Sequence, residues 1–217
     1  MLAVFPAAST TPALIETGDG TRAVLKFSGA GPGPAGLLTE LLALPIAAAL
    51  GAPVPAARPL WLPPGLPWEV GTDEFDAMLL RSTGWNLGVA LLPDARPAGP
   101  ADIAAADPAT LDAIARADAL LANMDRTATN PNLLVSGGSL YAVDYDACLY
   151  LTRALAGRSR SATLPPGHLL AGRPLPPAPL PVIDATSLAT LPPDDWLAAA
   201  ATTRPKLAAA LAAWLAR

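Results

Sequence analysis

The chain has 217 residues and a formal net charge of −4, enough length to bury one good core or two small lobes that share a cleft. That charge excludes a nucleic-acid footprint, because no basic stripe is present to displace phosphate counterions. A single cysteine, Cys148, excludes an internal disulfide framework and a multi-cysteine zinc site. A single histidine, His168, reads as a loop residue among prolines and glycines, with no nucleophile motif for Ser-His-Asp or Cys-His catalysis.

In chain order, residues 13–16 and 22–27 read as two strands around the turn cluster Thr17-Gly18-Asp19-Gly20. A Gly/Pro loop at 28–36 precedes a helix over 37–50 that ends at Gly51, with Pro45 expected to kink or split it. The proline-rich stretch 53–67 reads as an extended connection between lobes, which divides the chain into 1–67 and 68–217. Residues 73–81 read as a helix and 82–88 as a turn-rich segment. Residues 108–124 form a convincing helix, with Asp107 as N-cap, Pro108 at the first helical position and apolar residues at helical spacing. A polar loop and a hairpin around Ser136-Gly137-Gly138-Ser139 follow. Residues 165–193 read as mostly irregular, and helices near 196–201 and 205–216 close the chain.

No secretory signal is read at the start, and the longest apolar run, 37–50, contains Glu40 and Pro45. It falls short of the roughly 20 residues that a bilayer span needs. The expectation is a cytoplasmic protein with no membrane partner. Arg153, Arg158 and Arg160 form the one basic cluster, which a solvated loop explains.

The chemistry concentrates at Asn123-Met124-Asp125-Arg126-Thr127-Ala128-Thr129-Asn130-Pro131-Asn132 and the hairpin after it. Pro131 biases Asn130 towards an extended conformation at the strand entrance. Asn130 and Asp144 are equidistant from Gly137, so a tight turn sets them opposite each other at the hairpin's open end, within about one residue of register. Asp125 lies close enough in the loop to join them. Two carboxylates and an amide oxygen suit a hard cation such as Mg²⁺. Phosphoryl transfer needs a carboxylate for the accepting hydroxyl, an Asn and an Asp for the metal, and a lysine on the phosphates. The chain has only two lysines, Lys26 and Lys206, and Lys26 sits in an otherwise apolar strand. Glu40, on the next helix, is its natural ion-pair partner. Each residue alone has a structural explanation, such as a turn, a cap or an edge lysine; their order along the chain favours function. Gly29-Ala30-Gly31-Pro32-Gly33 is not a phosphate cradle, since no Gly-Lys-Ser/Thr follows and its proline lacks the donor a cradle uses.

These residues together resemble the HipA-like kinases, particularly the small stand-alone members, distant relatives of protein and phosphoinositide kinases. The resemblance rests on residues 24–34 (VLKFSGAGPGP), Glu40, 50–55 (LGAPVP), 82–88 (STGWNLG), 123–135 and Val143-Asp144, with a weaker echo at 191–197. It implies an α+β, minimal two-lobed kinase-like fold: a small β-rich N-lobe with one main helix, and a mostly helical C-lobe carrying the catalytic-loop hairpin. It implies ATP and Mg²⁺ as cofactors, Lys26 and Glu40 at the nucleotide, Asp125 as the catalytic aspartate, and Asn130 and Asp144 on the metal. The acceptor would be a hydroxyl of a protein, a peptide or a small molecule. The alternatives are a pseudokinase that binds nucleotide without turnover, and nucleotidyl transfer from the same site. The chain departs from the family in Thr127, where relatives often carry histidine, and in Asp146, where a glycine is common.

Overall fold

The computed structural model describes residues 1–5, 10–65, 72–160, 163–175 and 180–216. Short apolar runs form β1 (Ala3–Val4), β2 (Ala13–Glu16) and β3 (Arg22–Lys26), followed by α1 (Gly33–Ala49), β4 (Ala57–Leu62), α2 (Asp73–Arg81) and β5 (Gly84–Ala90). These strands make one antiparallel sheet in the order β1-β2-β3-β5-β4. Next come β6 (Arg96–Pro97), α3 (Pro100–Ala105), α4 (Pro108–Leu121), β7 (Leu133–Ser136) and β8 (Ser139–Ala142). The last three strands pair as a second antiparallel sheet, β6-β7-β8. α5 (Tyr150–Leu155), α6 (Ala185–Thr190), α7 (Asp194–Ala199) and α8 (Arg204–Leu215) complete an α+β chain. Among the described residues no helix is long and apolar enough to cross a membrane.

Two stretches read as connection and turn are strands, β4 and β5. The boundary read at residue 67 lies outside the described residues, yet β4 before it and β5 after it pair from Ala57–Val89 to Leu62–Gly84. The first sheet therefore draws on both sides of that boundary. The sequence signal failed because Gly-Trp-Asn and a second glycine imitate a turn. Here Asn86 is fully buried, with its amide nitrogen bonded to Ser82 O and Gly84 O and its oxygen accepting from Ser28 N. Gly88 admits the Leu60 side chain, whose Cδ1 would clash with a Cβ at that position. α6 is likewise a helix inside the stretch read as irregular.

Period-two alternation assigns the two faces of the sheet. Ala23 and Leu25 point to a cluster with Phe75 and Met78 of α2. The alternate positions face α1: Lys26 pairs directly with Leu87, which belongs to the main core. That core runs without a break from α1 through α4 and the hairpin to α8.

α1 is buried almost all round, from Gly36 to Leu44 and again at Ile46 and Ala47. Pro45 was expected to kink or split this helix, but the helix is continuous through it. The missing donor costs about 3 kcal/mol, and each buried leucine returns about 1.5–3 kcal/mol. Leu37, Leu38, Leu41, Leu42 and Leu44 together outweigh the penalty. Pro45→Ala is expected to stabilise the protein by about 1–3 kcal/mol, read as a higher midpoint in urea at unchanged slope. α4 begins as its sequence indicates, with Asp107 accepting from Thr110 N at 3.1 Å, and ends at a left-handed Ala122, short of Met124.

Candidate functional site

Lys26 leaves β3 towards α1 and meets two carboxylates. Its Nζ lies 2.5 Å from Glu40 Oε2 and 2.7 Å from Asp144 Oδ1. The expected Lys26–Glu40 pair is formed, and Asp144 is its third member. Burial pulls the Lys26 pKa down, but the charges of Glu40 and Asp144 outweigh it and hold the ammonium firmly protonated. Glu40 is 2% exposed. Burial pushes its carboxyl up; Lys26 opposes this, and Asp144 and Asp146 add to it. The two partners shift in the same direction because burial of Glu40, helped by two like charges, outweighs its one cation, whereas the two anions facing Lys26 outweigh its burial.

Glu40, Asp144 and Asp146 each offer a carboxylate oxygen, and these oxygens all lie within 4.8 Å of one another. Burial raises the Asp146 pKa, Asp144 raises it further, Lys26 opposes, and Asp125 adds a smaller increase. One lysine thus stands against three carboxylates, a deficit of positive charge that a divalent cation with oxygen ligands would correct.

The second group forms around Asp125. Its Oδ2 accepts from Asn130 Nδ2 at 2.7 Å and from Asn132 Nδ2 at 3.0 Å. Asp125 Oδ1 has no partner among the described residues. Asn130 sits in a turn that Thr127 closes: the Thr127 hydroxyl accepts from Asn130 N, and Thr127 N donates to Asn130 O. Thr127 therefore holds the loop. With its amide nitrogen turned to Asp125, Asn130 presents Oδ1 away from it. The hairpin turns on Gly137 and Gly138, both at positive φ, as a two-residue turn requires. Val143 N donates to Asn132 O beyond the last paired strand residues. Asn132 and Asp144, at this open end, are non-glycine residues at φ 48° and 63°, a conformation that Asn and Asp tolerate best.

Beneath both groups lies a buried network that sequence reasoning missed. Arg126 is fully buried, with Nε 2.6 Å from Asp118 Oδ2. Its Nη1 donates to Pro131 O and Asn132 O, and its guanidinium carbon lies 5.1 Å from the centre of the Tyr145 ring. One side chain therefore fixes both the loop carrying Asp125 and the segment between Asp144 and Asp146. His168, read as a loop residue, is buried. Its Nδ1 accepts from Leu170 N, which leaves the Nε2 proton to donate to Asp118 at 3.1 Å. Asn123 links Asp118 Oδ1 to the Asp125 backbone N. The available signal was a carboxylate at Asp118 on the apolar stripe of α4, between Ile114 and Leu121.

The structure brings Lys26, Glu40 and Asp144 into direct contact, and Asp125 and Asn130 into another contact. Asp146 belongs with Glu40 and Asp144, and the charge of Asp125 adds a smaller upward push on its carboxyl. No family model matches this chain, and comparison with curated proteins and with solved structures gives no match.

Proposed function

We propose that the protein is an ATP- and Mg²⁺-dependent phosphotransferase with a two-lobed, HipA-like kinase fold, moving the γ-phosphate to a hydroxyl of a protein, peptide or small molecule. The observation that carries this reading is Lys26, a strand lysine held between Glu40 of the following helix and Asp144 at the hairpin's open end. A strand-lysine to helix-glutamate pair beside a metal-binding aspartate is the arrangement that positions phosphates in kinases. The carboxylate oxygens of Asp144 and Asp146 suit Mg²⁺, and in this reading the Asn130 amide oxygen, turned away from Asp125, joins them.

The chain's own residues then have separate tasks. Asp144, Asn130 and Asp146 would hold the metal, which neutralises phosphate charge when bound. Lys26 would exchange part of its contact with Asp144 for phosphate oxygens while Glu40 keeps the ammonium in place. Asp125 is fixed through Oδ2 by two amides, which leaves Oδ1 to accept a hydrogen bond and then the proton from the attacking hydroxyl.

Thermal unfolding tests the reading. ATP with Mg²⁺ at about 100 times Kd is expected to raise the melting temperature by about 5–10 °C, and ATP without metal by much less. Asp144→Ala is expected to remove the metal-dependent part. No shift at millimolar ATP with Mg²⁺ would overturn the proposal.

A further inference from the structure

Beside the start of α1, the sheet and α7 do not close fully against each other. A cavity of about 460 Å³ remains, with Ser28 and Trp85 on the sheet side, Pro34 at the start of α1, Arg81 and Thr83 at the end of α2, and Asp195 from α7. Small-molecule sites fall in the range of about 300–1,000 Å³ and favour such junctions between packed parts. The walls are preformed: Trp196 Nε1 donates to Trp85 O at 3.3 Å, and Gly29 N donates to Ser82 Oγ at 2.9 Å.

The polar side chains of the lining are open to solvent and not tied to the protein. Among the described residues, the hydroxyls of Ser28 and Thr83, the Arg81 guanidinium and the Asp195 carboxylate have no protein partner, and Arg81 and Asp195 do not pair with each other. The neighbouring Asp194, by contrast, is taken up by Arg204 at 2.7 Å. The start of α1 adds little, because Pro34 in its first turn lacks an N–H. Arg81 and the two hydroxyls can meet an anion, Asp195 can meet a cation, and Trp85 and Pro34 add apolar surface.

We propose that this cavity is a second ligand site, for a small zwitterion of the amino-acid class. The ligand's carboxylate meets Arg81 with Ser28 and Thr83, and its ammonium meets Asp195. None of these groups takes part in the proposed phosphotransfer, so the two readings stand or fall separately.

Calorimetric titration of the full chain, without nucleotide, tests it. The probes are the free L-amino acids, with acetate and methylamine as single-charge controls. At least one amino acid is expected to saturate with a Kd of about 1 mM or tighter. Arg81→Ala and Asp195→Asn, at exposed positions, are each expected to weaken it at least about tenfold, and Thr83→Val less. Three results would overturn the proposal: no saturation by any amino acid, acetate or methylamine binding as tightly as the best amino acid, or unchanged binding in both charge variants.

Discussion

Asp125→Ala is expected to lower γ-phosphate transfer by about 10²–10⁴-fold, the usual worth of a positioned general base, with ATP affinity changed little. The expectation follows from how Asp125 is held. Its Oδ2 is occupied by Asn130 and Asn132, and among the described residues it forms no hydrogen bond or ion pair with Lys26 or Glu40. The substitution removes a proton acceptor without opening the lysine cluster. Single-turnover rates at saturating ATP, paired with a direct binding titration, separate the two quantities. A variant that loses binding and transfer together would place Asp125 among the nucleotide or metal ligands instead.

Asp118→Asn is expected to destabilise the fold by about 3–5 kcal/mol, because it leaves the Arg126 guanidinium buried without its counter-charge. The melting temperature should fall by about 6–20 °C. Burial disfavours the Asp118 carboxylate, but Arg126 and His168 outweigh burial and hold its pKa below the ordinary value. With a depressed native pKa, the stability Asp118 contributes is present above about pH 4, its unfolded value. It is lost as the pH falls through the lower native value. Urea midpoints measured between pH 7 and pH 2 read this directly: the wild type should lose stability over the acidic part of that range, and Asp118→Asn should lose less. Equal acid slopes in the two proteins would show that Asp118 is not the group responsible.

The sequence exposed those parts of the site that break a local pattern. Lys26 stands out because lysine is scarce and the strand is apolar, and period-two alternation then turns it towards α1. Glu40 stands out as the one charged residue in a leucine-rich helix. What was hidden depends on long-range satisfaction of polar groups. Asn86 reads as a turn residue until Ser28, Ser82 and Gly84 are seen to satisfy it inside a central strand. Asp118 and His168 lie fifty positions apart in the chain, and no local pattern predicts that a loop histidine will reach a helix carboxylate. Pro45 failed as a signal for the opposite reason: burial on nearly every side of α1 overrides a local penalty. Asp146, two residues past Asp144, joins Glu40 and Asp144 in the carboxylate group.

The most direct test of the phosphotransferase reading follows label from ATP. Wild type and Asp125→Ala are incubated with Mg²⁺ and ATP labelled at the γ-phosphate, and in parallel with ATP labelled at the α-phosphate. The expected result is that wild type releases or transfers only the γ-label, and that Asp125→Ala does so at least about a hundredfold more slowly. The account is contradicted if the γ-label stays on ATP, if the α-label appears on an acceptor, or if Asp125→Ala keeps the wild-type rate.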